Sequence, residues 1–337
     1  MRKFLQYLFK KPLTWAANKF SGAPDKNAVF SSLDKLYKIS YQKTNKKTTT
    51  LNFNATSDSF IIFSDQHKGN KDRADDFAKS EANYIAALQY YQQQCFTFIS
   101  LGDTEEIWKY KPEEVIPKNE AAFRAEAAFQ IDSKYYRTFG NHDIIWKNKW
   151  DVERLLKPYF KMPLAVKEAI VLKTKIDGEF LNIFCTHGHQ GDKLSDNNAV
   201  STWLVAHIWA PIQRYLQINV NTPSKDDTLR NKHNKFMYEW SSSKKNLLLV
   251  TGHTHKPVFA SGKYSNHPSN KINDIETLLK PTYYNSGCCC FSDGDITGIE
   301  IADGFIRLVK WYDEGDSTKR IILEEQNLEH ILADLRY

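Results

Sequence analysis

The sequence predicts an α/β fold with a largely buried sheet. From residue 58 onward, short apolar runs alternate with longer helix-like segments. Buried strands read as nearly continuous apolar runs, and strands that alternate with helices are typical of parallel sheets. The composition agrees, because 41% of the 337 residues are hydrophobic and 26% are charged. These values are typical of a soluble globular protein with one large or two average domains.

The first elements can be assigned in chain order. The apolar runs predict strands at residues 60–63, 95–101, 135–139, 181–185 and 247–250, with several more after Tyr283. Helix-like segments lie between them at 75–94 and 119–132. Each predicted strand is short and bounded by polar or turn residues, as expected for a buried sheet.

The rest of the chain breaks this alternation. Residues 195–246 are helical in pattern and rich in aromatic side chains, so we interpret them as a helical cap inserted between two strands. Residues 296–312 predict a β-meander with turns at Asp293-Gly294 and Asp303-Gly304. Residues 324–336 predict a final helix. The chain therefore divides into an N-terminal extension (1–57), a main domain (58–312) and a C-terminal helix extension (313–337).

The N-terminal extension carries the protein's positive charge. The first 50 residues hold 11 Lys and Arg against 2 Asp and Glu, a net +9, whereas the whole chain carries +6. The remaining part is therefore −3, which disfavours a nucleic-acid-binding body. Residues 1–20 form a basic amphipathic pattern, too polar for a transmembrane helix. They fit an anionic membrane surface or packing on the protein's own body. Residues 43–50 read as a polar linker.

Cysteine usage indicates a reducing compartment. The chain has five cysteines, three of them adjacent at Cys288, Cys289 and Cys290, and none is spaced as CxxC. We expect a cytoplasmic protein, peripheral on the membrane if residues 1–20 bind it. The three adjacent cysteines read as small buried strand residues. A metal role is disfavoured for them because adjacent strand residues point to opposite faces.

Five of the apolar runs lead into polar residues of the same kind. These polar segments are Ser64-Asp65-Gln66-His67, Gly102-Asp103, Gly140-Asn141-His142-Asp143, Thr186-His187-Gly188-His189 and Gly252-His253-Thr254-His255. Ligand sites in open α/β sheets form at the carboxyl ends of strands. The five segments therefore predict a shared site.

The side-chain types in these segments predict a metal centre. Residues at i and i+2 of an extended segment face the same way, so Asp65 and His67 can reach one ion, as can His253 and His255. Carboxylate, imidazole and amide ligands suit Mn, Fe, Zn or Co better than calcium. The glycines in the segments allow sharp turns beside the ligands.

In this order, the segments resemble those of the calcineurin-like metallophosphoesterases, over residues 57–312. The resemblance implies an αββα four-layer sandwich with two divalent metal ions, of which Mn is favoured. It places Asp65, His67 and His255 on the first ion. It places Asn141, His187 and His253 on the second, with Asp103 bridging. It also implies that His142 faces the substrate phosphate and that Asp143 orients it.

The implied reaction is phosphoester hydrolysis. A hydroxide shared by the two ions would attack phosphorus, and the ions would take up the growing negative charge. His142 is suited to stabilise that charge or to protonate the leaving oxygen. The substrate bond is expected to be a phosphodiester or pyrophosphate. A phosphomonoesterase or protein phosphatase is the alternative, followed by a nuclease and by a non-catalytic scaffold that keeps the fold.

Some details resemble the UDP-2,3-diacylglucosamine hydrolase branch, which implies a nucleotide- or lipid-linked substrate. They are the acidic-aromatic segment after Asp103, Pro257 after the last histidine, and the position of the cap. His142 departs from this branch, which usually has Arg there, and the N-terminal extension has no counterpart. Three further residues are expected near the substrate, namely His189, Lys193 and Arg214. His189 reads equally well as a solvated loop residue.

Overall fold

The computed structural model describes residues 25–42, 45–160, 162–191, 227–260, 280–315 and 317–336. Its helices are α1 (Lys26–Ser40), α2 (Glu81–Gln93), α3 (Pro112–Lys118), α4 (Glu120–Gln130), α5 (Asp227–Ser242) and α6 (Leu328–Asp334). Its strands are β1 (Thr48–Asn52), β2 (Phe60–Phe63), β3 (Thr97–Leu101), β4 (Tyr135–Thr138), β5 (Val166–Lys167), β6 (Ala169–Ile176), β7 (Glu179–Thr186), β8 (Leu247–Thr251), β9 (Tyr283–Asn285), β10 (Ile296–Ala302), β11 (Phe305–Glu314) and β12 (Ser317–Asn327). Short helical turns lie at Phe77–Lys79, Ile144–Lys147, Lys149–Asp151 and Val152–Leu156.

The strands form two sheets. One has the order β1-β6-β7-β8-β9 and the other the order β12-β11-β10-β2-β3-β4-β5. In the larger sheet β2, β3 and β4 are parallel, and in the smaller sheet β7, β8 and β9 are parallel. The carboxyl ends of both parallel sets carry the polar segments noted in the sequence.

The core lies between the two sheets. Ile62 and Ile99 from the larger sheet pack with Ile183 and Val250 from the smaller one, and all four are fully buried. A second cluster packs α2 and α4 on the outer face of the larger sheet, and a third packs α1 and α5 on the smaller. The predicted four-layer αββα sandwich is therefore confirmed.

Two elements lie inside the predicted N-terminal extension. Residues 43–50 were expected to be a linker, but β1 begins at Thr48 and pairs in parallel with β6 from Ala169. For residues 48–50 the linker interpretation was wrong, because β-branched threonines favour strands even when the segment is polar. Helix α1 begins after Asp25, whose carboxylate accepts a hydrogen bond from the Ala28 amide at 2.9 Å. Its buried side chains join the outer cluster of the smaller sheet, so the sandwich starts before residue 58.

The C-terminal helix begins later than the sequence predicted. Residues 324–327 belong to β12, the edge strand of the larger sheet, and Glu325 pairs with Arg307 of β11. Helix α6 starts only after Asn327, whose side chain accepts hydrogen bonds from the amides of Glu329 and His330. The C-terminal part of the chain therefore contributes a strand as well as a helix.

The described part of the predicted cap is α5. Its Met237 and Trp240 are fully buried against the smaller sheet. The Trp240 indole donates a hydrogen bond to Asp34 of α1 at 2.9 Å. This segment is an outer layer of the sandwich. Most of the remaining cap, together with residues 1–20, lies outside the described residues. None of the helices in the described ranges is both long enough and apolar enough to cross a bilayer.

Candidate metal centre

The ends of five strands bring the predicted ligands together. Donor atoms of Asp65, His67 and His255 lie within 4.8 Å of one another, as do those of Asp103, His187 and His253. Asp103 also belongs to a group with His67 and His142. We call the seven residues Asp65, His67, Asp103, Asn141, His187, His253 and His255 the candidate metal centre. Asp103 lies between its two halves, as expected of a bridging ligand.

The histidine nitrogens of the candidate metal centre lie close to the carboxylate oxygens of Asp65 and Asp103. Nε2 of His255 is 3.2 Å from Oδ1 of Asp65, and Nε2 of His187 is 3.2 Å from Oδ2 of Asp103. Nε2 of His67 lies 3.7 Å from a carboxylate oxygen of each aspartate. His67 therefore lies between the two carboxylates.

Five ligands sit on left-handed backbone. The φ angles are 53° for Asp65, 50° for His67, 49° for Asp103, 68° for His253 and 54° for His255. Such a conformation costs about 1–3 kcal/mol for each non-glycine residue and is typical of functional sites. Backbone hydrogen bonds hold it, including one from the His67 amide to the Asp103 carbonyl at 2.9 Å. The loops are therefore shaped around the donor groups.

Two glycines are required by the carboxylates rather than by their φ angles. A Cβ atom on Gly140 would lie 2.2 Å from Oδ1 of Asp103, and one on Gly252 would lie 2.3 Å from Oδ2 of Asp65. Either contact is far inside van der Waals distance. These glycines let the neighbouring loops approach the aspartates closely.

Unpartnered donor atoms fit a pair of cations. Oδ1 of Asp65, Oδ1 of Asn141 and Nε2 of His187 are buried and make no hydrogen bond to any described residue. Buried polar atoms without a partner are rare and call for an unseen ligand. The Nδ1 atom of His187 lies 3.0 Å from the Leu101 carbonyl, which assigns the proton to Nδ1 and leaves the Nε2 lone pair for a metal.

The charges of the ligands are strongly coupled. Burial lowers the pKa of His187, but the carboxylates of Asp103 and Asp65 outweigh it and raise that pKa to about 9. Burial raises the pKa of Asp103, but the neighbouring histidines, His187 first, hold it well below its usual range. Histidine protons therefore balance the carboxylates in the metal-free site, and cations would replace them.

His142 is held beside the centre by Glu106, a residue without a sequence-assigned role. Nδ1 of His142 lies 2.7 Å from Oε1 of Glu106, and the ring stacks on Trp108 with centroids 4.0 Å apart. The other oxygen of Glu106 lies 3.3 Å from Nδ1 of His67. The acidic-aromatic segment after Asp103 was the available signal, but it does not reveal these partners.

The Asp143 carboxylate contacts backbone amides of the neighbouring loops rather than the imidazole of His142. Its carboxylate accepts hydrogen bonds from the amides of Gly140 at 2.6 Å, Thr104 at 2.9 Å and Asp103 at 3.3 Å. Arg137 lies 3.5 Å away. Burial raises the pKa of Asp143 to about 6, with Arg137 opposing the effect. Asp143 thereby joins the loops that carry Asn141 and Asp103.

Of the three residues expected near the substrate, the described part of the chain includes His189. His189 is buried, with its ring 5.4 Å from that of His187 and 6.1 Å from that of Phe139, so it is not a solvated loop residue. Lys193 and Arg214 lie outside the described residues. His233 of α5 was not singled out by the sequence. Its Nε2 contacts the Gly188 carbonyl at 2.7 Å and supports the loop between His187 and His189.

The chain has similarities to known proteins. The model of the calcineurin-like phosphoesterase family matches residues 59–257, more than half of the chain. Among solved structures, Vacuolar Protein Sorting 29 from Cryptosporidium parvum is 14% identical, with a TM-score of 0.35, and the match covers 81% of this chain and 99% of that one. Wild-type Vps29 from Entamoeba histolytica complexed with Zn²⁺ is 12% identical, with a TM-score of 0.32 and coverage of 80% and 99%. No curated protein matches the sequence.

Proposed function

Because the chain belongs to the calcineurin-like phosphoesterase family, we propose that it hydrolyses phosphodiester or pyrophosphate bonds with two divalent cations. Family membership supports a metal-dependent phosphoester hydrolase in general, and the bond type and the two ions are our proposal. The observation that carries it is the position of Asp103. Its carboxylate belongs to donor groups on both sides of the candidate metal centre.

The cations and the protein would share the chemistry. When bound, two divalent ions supply an activated water nucleophile and neutralise charge on the phosphoryl oxygens. His142 is held through Nδ1 by Glu106, which assigns that nitrogen as the donor and turns Nε2 away from the carboxylate. When the ring carries a second proton, as an imidazolium, Nε2 can donate it to a phosphoryl or leaving-group oxygen. The His142 amide also donates a hydrogen bond to Asp103 at 2.8 Å, which couples its position to the centre.

The donor set of the candidate metal centre suits transition metals and zinc. Five of the seven ligands, counting Asn141, offer nitrogen or amide groups and two offer carboxylates, a mixture that Mn, Fe, Zn and Co all accept. We keep Mn as the first choice, since the carboxylates and the Asn141 amide oxygen suit it.

The substrate proposal concerns the cap and the N-terminus. A nucleotide- or lipid-linked phosphoester would use Arg214 of the predicted cap and Lys193 just before it. Residues 1–20 would hold the protein on an anionic membrane from the cytoplasmic side. A deletion that tests this must stop at residue 20, because α1 packs in the sandwich. Equal activity on lipid-linked and simple phosphodiesters before and after this deletion would contradict the substrate proposal.

The central experiment measures metal content and hydrolysis together. Wild-type protein should hold two ions per chain and cleave bis(4-nitrophenyl) phosphate faster than the monoester 4-nitrophenyl phosphate, with chelator abolishing both reactions. Asp103→Ala should lose metal and slow hydrolysis about 10³-fold, since metal-ion catalysis supplies several kcal/mol. Asp132→Ala, at an exposed carboxylate in the turn after α4, is the control. An Asp103→Ala variant that keeps the wild-type rate sinks the proposal.

A further inference from the structure

The three adjacent cysteines place two thiols on one side of the chain. Cys289 packs into the outer core of the larger sheet, and its amide donates a hydrogen bond to the Asp65 carbonyl at 3.2 Å. Cys288 and Cys290, two residues apart, both face His255 instead. Cys289 points away from its two neighbours, as expected of adjacent residues. Cys288 and Cys290 are two residues apart and so point to the same side, which leaves both thiols available to one ion.

Both thiols lie beside a metal ligand. Sγ of Cys290 is 3.7 Å from Nδ1 of His255, and the donor atoms of Cys288, Cys290 and His255 all lie within 4.8 Å of one another. Cys288 is buried and Cys290 is partly exposed. We refer to Cys288 and Cys290 as the thiol pair.

We propose that the thiol pair and Nδ1 of His255 form a separate site for a thiophilic divalent cation such as Zn²⁺ or Cd²⁺. Tetrahedral zinc with Zn–S near 2.3 Å and Zn–N near 2.0–2.1 Å places sulfur and nitrogen about 3.6 Å apart. The distance between Cys290 and His255 matches that edge without rearrangement. Thiolates select zinc and other soft ions over manganese and magnesium. Binding would release the two thiol protons to solvent and leave a neutral cation–dithiolate group.

This site and the candidate metal centre share one ligand, His255. Nε2 of His255 lies 3.2 Å from Asp65, whereas Nδ1 faces the thiol pair. A neutral imidazole carries one lone pair and one proton, so it serves one cation at a time. A soft cation on the thiol pair therefore competes with the centre for His255. The site itself stands whether or not the protein hydrolyses phosphoesters, because its donors are defined by geometry alone.

The test uses the ultraviolet absorption of cadmium–thiolate bonds. Reduced full-length protein, preloaded with Mn²⁺, is titrated with CdCl₂. Wild type should develop the absorption and saturate at one cadmium per chain. Cys288→Ser/Cys290→Ser should lose it, whereas Cys95→Ser, which removes an exposed thiol elsewhere, should keep it. An absent signal, or an equal signal in the double variant, overturns the proposal.

A second measurement needs no variant. Alkylation of the wild-type thiols by iodoacetamide is mapped by mass spectrometry with and without Zn²⁺. At a zinc concentration about tenfold above its Kd, Cys290 should react about tenfold more slowly, because the zinc-free fraction falls as 1/(1 + [L]/Kd). Cys95 should be unaffected, and Mg²⁺ should protect neither. Equal rates for Cys290 with and without Zn²⁺ overturn the proposal even if the serine variants do not fold.

Discussion

Glu106 links His142 to His67 through the two oxygens of one carboxylate. Oε1 lies 2.7 Å from Nδ1 of His142, and Oε2 lies 3.3 Å from Nδ1 of His67. Burial raises the pKa of Glu106, but His142 and Lys109 outweigh it and hold that pKa well below its usual range. One buried anion thus fixes the orientation of a candidate metal ligand and of the residue proposed to face the phosphate.

Replacing Glu106 with Gln should lower kcat on bis(4-nitrophenyl) phosphate by about 10–100-fold, the usual effect of losing an outer partner of a metal-bound histidine. KM should change little, because the carboxylate orients catalytic groups rather than substrate. Steady-state kinetics at saturating metal measure both. Glu113→Gln, an exposed carboxylate paired with Arg154, should behave as wild type. Unchanged kcat in Glu106→Gln would contradict this role.

Replacing His142 with Asn should have an effect that depends on the leaving group. If Nε2 protonates the leaving oxygen, hydrolysis of diphenyl phosphate should fall by about 10²–10⁴-fold. The bis(4-nitrophenyl) ester should fall much less, because 4-nitrophenolate leaves without a proton. The ratio of the two kcat/KM values reports the effect. His330→Asn, on the exposed face of α6, is the control. Equal losses for both esters would assign His142 to charge stabilisation alone.

Removing Arg137 should destabilise the fold more than any exposed charge does. Arg137 is fully buried and pairs with Glu105 and Asp143. Arg137→Met therefore removes the cation beside Asp143 and one of the two cations beside Glu105, where Lys68 remains. We expect unfolding free energy in urea to fall by about 3–5 kcal/mol. Arg154→Met, which removes an exposed pair with Glu113, should cost about 1 kcal/mol or less. If both variants lost similar unfolding free energy, the buried ion pairs of Arg137 would contribute no more to stability than an exposed pair does.

Truncating Leu33 should show that α1 belongs to the sandwich. Its side chain is fully buried in the cluster that covers the smaller sheet, to which Trp240 also belongs. Leu33→Ala should lower the unfolding free energy by about 2–5 kcal/mol. Ile131→Ala, at a side chain that is 65% exposed, should change it by no more than about 0.5 kcal/mol. Denaturant curves that coincide for both variants would place α1 outside the cooperative unit.

The strand ends could be predicted because their signal is local. An apolar run followed at once by Asp65 or His253 contains both the strand and its polar end within a few residues. The four-layer arrangement and the assignment of the seven candidate ligands came from the resemblance of these segments, in their order, to those of the calcineurin-like metallophosphoesterases. The local pattern by itself supplied the strands and their polar ends.

The errors and omissions came from contacts between distant residues. Strand β1 is polar, and it becomes a strand by pairing with β6 more than a hundred residues later. Glu106 reaches His142 only because the loops after β3 and β4 fold against each other. The approach of Cys290 to His255 likewise joins segments that are 35 residues apart. Short-range pattern carries no information on any of these pairs.

The left-handed backbone at five candidate metal ligands bears on the evolution of this protein. At five positions the backbone adopts a conformation that glycine would accept with less strain, yet aspartate or histidine stands there. Substitution to glycine at the three histidines should relieve strain while it removes donor atoms. At Asp65 and Asp103 it would also leave the amides of His253 and His142 without their acceptor. Selection for thermal stability alone would therefore erode the site at the histidines first, so a screen for thermostable variants should recover inactive ones that have changed there.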